Sequence, residues 1–193
     1  MVKVRGYRVE LGAIEAALST HPRVGECAVV ARPGRDGNQR LLAYYVPRSQ
    51  PAPSTNALRE WLGRSLPDYM VPVRFVALEQ LPRVGAHKID RKSLPTPGRE
   101  RPNLETPYVA PRSELEAALA AIWTEVLDLD EVGADDDFAE LGGDSLSALH
   151  MTLQVDEVLH LTVPSQWFRR PTLGNLSALL ERASPVEDSP ITH

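Results

Sequence analysis

Cysteine is all but missing from this chain of 193 residues: Cys27 stands alone, so no internal disulfide framework can staple the fold. The five histidines are scattered without metal-ligand spacing, which removes zinc as a staple. No run approaches the roughly 18 uninterrupted apolar residues of a membrane span. The opening Met1-Val2-Lys3-Val4-Arg5 lacks the apolar stretch of a signal peptide. A cytoplasmic chain with no membrane partner is therefore expected. Lysine disappears after Lys92. What remains, 42% hydrophobic and 24% charged residues, suits one large soluble domain or two small ones with modest cores.

Charge divides the chain. Residues 1–103 hold 17 basic and 9 acidic residues, a net of +8, whereas residues 104–193 hold 4 basic and 17 acidic, a net of −13. Two modules with different partners would leave that asymmetry. The sign changes within Pro95 to Arg112, which has five prolines in 18 positions and no apolar period. Proline removes donors and extends its neighbours, so residues 96–111 read as a semi-rigid linker between modules at 1–95 and 112–183. Ser184 to Pro190 has similar composition, and 184–193 reads as a tail or a further linker.

The first module mixes periods. Leu11, Ile14 and Leu18 recur at helical spacing. Val24 to Ala31 and Leu41 to Val46 are short apolar runs that read as strands, joined by a turn at Arg35-Asp36-Gly37-Asn38. Leu58, Trp61, Leu62 and Leu66 mark an amphipathic helix ending at Pro67, and Val73 to Leu78 reads as a third strand. The result is a small α+β unit. The second module reads as helices alone. Ser113 and Glu116 form a capping-box pattern, followed by Leu115, Leu119, Ile122 and Val126 on one face. An acidic loop from Asp128 to Asp137 leads to Asp144, a natural N-cap. Leu146, Leu149 and Leu153 line one stripe of the next helix. Shorter helical stretches follow at Ser165 to Arg170 and Thr172 to Ala183, giving a bundle of about four helices.

The stretch Asp137-Phe138-Ala139-Glu140-Leu141-Gly142-Gly143-Asp144-Ser145-Leu146 is the most informative in the chain. Two glycines permit a sharp exposed turn, and Ser145 sits in the first turn of a helix whose free amides would tolerate an attached phosphate. An isolated Asp-Ser pair most often does no more than cap a helix. This stretch, however, resembles the phosphopantetheine attachment motif of acyl and peptidyl carrier proteins, Phe-x-x-Leu-Gly-Gly-Asp/His-Ser-Leu, at every fixed position. The resemblance covers residues 112–183 and implies a four-helix bundle. It also implies that Ser145, flanked by Gly143, Asp144 and Leu146, receives a 4′-phosphopantetheine arm from coenzyme A through a separate phosphopantetheinyl transferase. Gly143-Asp144-Ser145-Leu146 also spells the signature of GDSL hydrolases. Those enzymes need a histidine base in an Asp-x-x-His block, which neither Asp156 with His160 nor Asp188 with His193 supplies.

In the basic module, Leu81-Pro82-Arg83-Val84-Gly85-Ala86-His87-Lys88-Ile89-Asp90-Arg91-Lys92-Ser93-Leu94-Pro95 reads by itself as a solvated basic loop. Nucleic-acid binding lacks the interleaved aromatics and recognition helix it would need. The stretch resembles the last core motif of adenylation domains of nonribosomal peptide synthetases, Leu-Pro-x-Thr-x-Asn-Gly-Lys-Val/Ile-Asp-Arg-x-x-Leu-Pro. Two more family motifs precede it in order: Val2 to Gly12 with Ile14-Glu15, and Leu66 to Pro72. Residues 1–95 thus look like the C-terminal subdomain of an adenylation domain. By that resemblance Lys88 is the mobile catalytic lysine that holds the substrate carboxylate and the α-phosphate while the adenylate forms, with ATP and magnesium bound only when the large subdomain is present. Arg5 and Gly6 belong to the loop that faces the active site in the thioester-forming conformation, where a residue without a side chain suits close backbone approach. The chain departs from the family at Val84, Ala86 and His87, where Thr, Asn and Gly are usual. His87 thereby replaces a glycine expected to tighten the turn before Lys88.

The chain opens at the first of these motifs, and no Gly-rich phosphate cradle is found, so the large adenylation subdomain is expected to be supplied elsewhere. Part of a peptide synthetase module is implied, with an amino or aryl acid loaded on Ser145 and with condensation or other downstream domains as partners. The alternative is a non-catalytic interaction fragment in which both motifs are relics.

Overall fold

Apolar runs bounded by turn residues place the strands of the first unit, and alternation along them sets its layers. The computed structural model describes residues 1–34 and 37–183. Arg35 and Asp36 of the expected turn, and the expected tail from Ser184 on, lie outside the described residues. The chain divides into two compact units, one built on Met1–Glu105 and one on Thr106–Ala139 with the segment from Gly143 onward.

In the first unit, strands β1 (Val2–Val4) and β2 (Tyr7–Val9) form a hairpin ahead of helix α1 (Leu11–Ser19). Strands β3 (Val24–Pro33), β4 (Gln39–Pro47) and β5 (Arg74–Ala77) make a sheet in that order. The β3–β4 pair is antiparallel. β4 and β5 run parallel, which requires a crossover, and helix α2 (Thr55–Gly63) lies between them in the chain. Residues 41–45 of β4 are buried on both faces, so the strand reads as a continuous apolar run. Leu41, Ala43 and Tyr45 join Ile14, Leu18, Leu58 and Leu62 in one core. Leu42 and Tyr44 join Ala28, Val30, Leu81 and Leu94 in the other. Helix α2 ends at Gly63 and not at Pro67: Leu66 continues the apolar period after the helical backbone has stopped, its N–H still reaching Leu62 O at 2.9 Å.

His21 closes the turn after α1. Its Nδ1 accepts from Arg23 N at 3.2 Å and its ring meets Trp61 edge-on at 5.0 Å. Burial first, then the charges of Arg23 and Arg64, hold its pKa below the ordinary 6.5. The unfolded chain therefore binds the extra proton, and the neutral ring contributes stability that is complete above pH 6.5 and lost as pH falls through the folded value. The urea midpoint of this unit is expected to drop between neutral pH and about pH 5, and His21→Gln to flatten that drop. An unchanged slope in the variant would show that other groups cause it.

The second unit comprises α3 (Glu114–Leu127), α4 (Ser145–Leu159), a 3-10 turn at Ser165–Arg169 and α5 (Leu173–Ala183). Ser113 Oγ caps α3 by accepting from Glu116 N at 3.1 Å. The expected box is not closed, because Glu116 Oε2 accepts from Arg112 N at 2.6 Å instead of from Ser113. Asp128 and His160, in the left-handed region at φ 57 and φ 55, end α3 and α4. The acidic loop is ordered from within: Asp136 is fully buried and its carboxylate accepts from Gly133 N at 2.7 Å. The stripe of Leu146, Leu149 and Leu153 faces solvent, and α4 packs inward through Ser147, Ala148, Met151 and Val155.

The proline-rich segment is tied down in both units. Asn103 O accepts from Thr55 N at 2.8 Å and Pro95 O from the Tyr44 hydroxyl at 2.5 Å in the first. Val109 O accepts from Ala134 N at 2.7 Å in the second. No helix among the described residues is long and apolar enough to cross a membrane.

Candidate functional site

Aspartate caps helices well because its short carboxylate reaches the amides of the first turn. Asp144 does so at the head of α4, accepting from Ser147 N at 2.8 Å while Ser147 Oγ accepts from Asp144 N at 2.7 Å. The reciprocal cap thus consumes Asp144 and Ser147 and leaves Ser145 out. Ser145 is exposed at the first helical position, and its hydroxyl makes no hydrogen bond among the described residues. A covalently attached phosphopantetheine fits these residues, since the oxygen is accessible and the amides of the first turn carry partial positive charge.

The two glycines divide the labour before the serine. Gly142 takes φ 98, a conformation costly for any other residue. Gly143 is buried, not part of an exposed turn: its N–H donates to Phe138 O at 2.8 Å, and a Cβ there would overlap the Phe138 ring. Phe138 in turn meets Trp123 edge-on at 4.9 Å and Trp167 at 5.7 Å. This aromatic cluster sets the platform from which Ser145 projects. Trp123→Ala is expected to cost about 3–5 kcal/mol, most of the stability of so small a unit, whereas Trp123→Phe keeps a ring in place and costs far less. Urea unfolding followed through the near-ultraviolet signal of Trp167, read against that of Trp61 in the first unit, would measure both.

Lys88 is exposed in a second hairpin, β6 (Arg83–Val84) with β7 (Lys88–Ile89), where Val84 pairs with Lys88. Its ammonium makes no hydrogen bond or ion pair among the described residues. The base of the hairpin, by contrast, is fastened repeatedly. Leu81 and Leu94 are buried on either side of it, and Asp90 N donates to Pro82 O at 2.8 Å. Arg83 pairs with Glu26, and Arg91 donates to both carboxylate oxygens of Glu15 at 2.7 and 2.9 Å. Glu15 Oε1 also accepts from Val29 N at 2.8 Å, so one carboxylate joins α1, β3 and the chain after the hairpin. Asp90 accepts from Ser93 Oγ at 2.6 Å, which, ahead of the backbone amides of Lys92 and Ser93, holds its carboxyl below the usual range. The left-handed residue of the turn is Gly85, at φ 66, and His87 takes an ordinary φ. The tight turn survives the loss of glycine at 87 because the kink sits two residues earlier.

Arg5 and Gly6 form the two-residue turn between β1 and β2, both left-handed at φ 48 and φ 85. Among the described residues nothing lies within 4 Å of a Cβ on Gly6, so its backbone conformation is what demands glycine. Tyr7, beyond the turn, stacks on Tyr69 at 4.2 Å. The contacts of Glu15 with Arg91 and of Glu26 with Arg83 join residues too far apart in sequence for pattern reading to pair them.

Residues 13–88 match the family model of the AMP-binding enzyme C-terminal domain, and residues 117–180 match the phosphopantetheine attachment site. Chondramide synthase cmdD of Chondromyces crocatus is 43% identical over 94% of this chain and 5% of its own length. Tyrocidine synthase 3 of Brevibacillus parabrevis is 40% identical over 96% of this chain and 3% of its own. A solved four-domain nonribosomal peptide synthetase bound to AMP and glycine matches 96% of this chain and 14% of that one, at 30% identity and a TM-score of 0.48. The chain joins the C-terminal subdomain of an adenylate-forming domain to a phosphopantetheine carrier domain. It belongs to the nonribosomal peptide synthetases, as part of one module, and spans about a twentieth or less of the curated relatives named here.

Proposed function

We propose that Ser145 is the hydroxyl that receives the phosphopantetheine arm and that Lys88 serves the adenylation reaction of the same module. The observation that carries the first assignment is the exposed, unbonded hydroxyl of Ser145 beside a cap that has no need of it. In the attachment step the Ser145 oxygen attacks the phosphorus of coenzyme A that bears pantetheine. The new P–O bond forms as the pyrophosphate link breaks. Adenosine 3′,5′-bisphosphate leaves, and the hydroxyl proton passes to a base of the phosphopantetheinyl transferase. The arm, once attached, supplies a thiol that holds an acyl group as a thioester. Leu146, Leu149 and Leu153, each more than two-fifths exposed, together with the acidic charge of residues 104–193, give a transferase or a neighbouring synthetase domain an apolar strip within a negative field.

Lys88 would bind the carboxylate of an amino or aryl acid and the α-phosphate of ATP, offering a compact cation where negative charge accumulates. The support is an unengaged ammonium on a hairpin whose base is held by two ion pairs and two buried leucines. The remaining parts of the reaction belong to the large adenylation subdomain. Arg5 and Gly6 would face the arm in the thioester-forming state, and condensation or other downstream domains would take the acyl group on. The wild-type chain, incubated with coenzyme A and a promiscuous phosphopantetheinyl transferase, is expected to gain the mass of one phosphopantetheine group. A chain that stays at its original mass overturns the carrier assignment.

A further inference from the structure

The hairpin that carries Lys88 has two faces, and strand pairing assigns them. Val84 pairs with Lys88 and Arg83 with Ile89, so each pair shares a face and the two pairs point opposite ways. Lys88 and the exposed Val84 stand on the outer face. Arg83 and Ile89, together with His87, line a groove of about 410 Å³ between the hairpin, α1 and the start of β3. Across it α1 and β3 present Gly12, Ala16 and Gly25, whose side chains are too small to reach the hairpin.

A hairpin tip above open space takes little support from packing, because dispersion needs atoms on both sides. A charged side chain spans the gap instead. The Arg83 guanidinium pairs through Nη2 with Glu26 of β3 and donates through Nη1 to His87 O at 3.4 Å. That oxygen belongs to the peptide bond that leads into Lys88. One planar fork of donors thus ties the sheet to the peptide from which the lysine departs. Both partners are exposed, Arg83 at 36% and Glu26 at 52%, so the pair adds little to stability and can be removed without unfolding the unit. In the resemblance described above, Arg83 holds a position that the motif leaves open, and His87 one where glycine is usual.

We propose that Arg83 is a positioning residue for adenylation: by bridging Glu26 and the His87 carbonyl it fixes the direction in which Lys88 leaves the hairpin. The inference rests on Lys88 serving that reaction. Arg83 acts through Lys88 and not on the substrate, since it lies on the opposite face of the hairpin. Aim matters where a cation must meet developing charge, and a misplacement of about 1 Å can lower a rate by about 10²-fold.

In a module that includes the large adenylation subdomain, Arg83→Gln is expected to lower kcat of ATP–pyrophosphate exchange by about tenfold while KM for ATP and for the acid stays put. Glu26→Gln should do the same, and the double variant should fall no further than either single one, because both break one link. The gap between wild type and variants is expected to close as salt screens the pair, a convergence that a merely structural defect would not produce. In the chain by itself, amide relaxation is expected to show Gly85 to Lys88 more mobile in Arg83→Gln than in the wild type, at an unchanged thermal midpoint. Exchange at the wild-type rate in either single variant, or a fall carried by KM, overturns the positioning role and leaves the Lys88 assignment standing. Exchange at the wild-type rate in Lys88→Ala overturns that assignment, and the positioning role with it.

Discussion

Ser145→Ala is expected to abolish the mass gain from coenzyme A completely and to leave the fold of the second unit intact. Alanine is the best helix former, and the first helical position of α4 spends no side-chain hydrogen bond on the structure. The loss would therefore report on one oxygen and not on unfolding. Ser147→Ala provides the contrast two residues away. It removes the half of the reciprocal cap that Ser147 Oγ provides to Asp144 N and leaves the backbone N–H of residue 147 donating to the Asp144 carboxylate, at a cost of about 1 kcal/mol, yet should still accept the arm. Intact mass and thermal unfolding of the two variants separate the roles. A Ser145→Ala chain that still gains mass, or a folded Ser147→Ala chain that does not, would move the attachment point elsewhere.

Lys88→Ala, in a module that includes the large adenylation subdomain, is expected to lower ATP–pyrophosphate exchange by about 10²–10³-fold, the usual cost of removing one preorganised group that meets developing charge. Arm attachment at Ser145 should proceed as before. Because Lys88 is exposed and unbonded, its removal takes no contact from the fold, and the thermal midpoint should not move. Lys88→Arg should rescue little, since a planar guanidinium does not reproduce a compact ammonium. Exchange at the wild-type rate in Lys88→Ala would exclude this residue from the chemistry.

Strong periodicity made α1, β3, β4 and α3 legible, because burial on a single face or a continuous apolar run writes itself into the sequence. Short hairpins of two or three residues per strand, β1 with β2 and β6 with β7, carry no such period. The ends of α3 and α4 were obscure because Asp128 and His160 do there what glycine usually does. Apolar spacing also cannot say which way a stripe faces, and on α4 the leucines look outward while Ala148, Met151 and Val155 hold the core. The attachment motif was legible because it is local. The ion pairs of Arg83 and Arg91 reach 57 and 76 residues along the chain and surface only when the fold is complete.

A lysine at the tip of a floppy loop could find its target by thermal search. One carried on a hairpin clamped by Glu15, Glu26, Leu81 and Leu94 has given up that search for aim. If Lys88 serves adenylation as proposed, what stays adjustable is the arrival of the whole block at its destination. The tempo of the chemistry would then follow the swing of some hundred residues as a lever, and ions that compete for its clamps would blunt the pointing before they touched the cation itself.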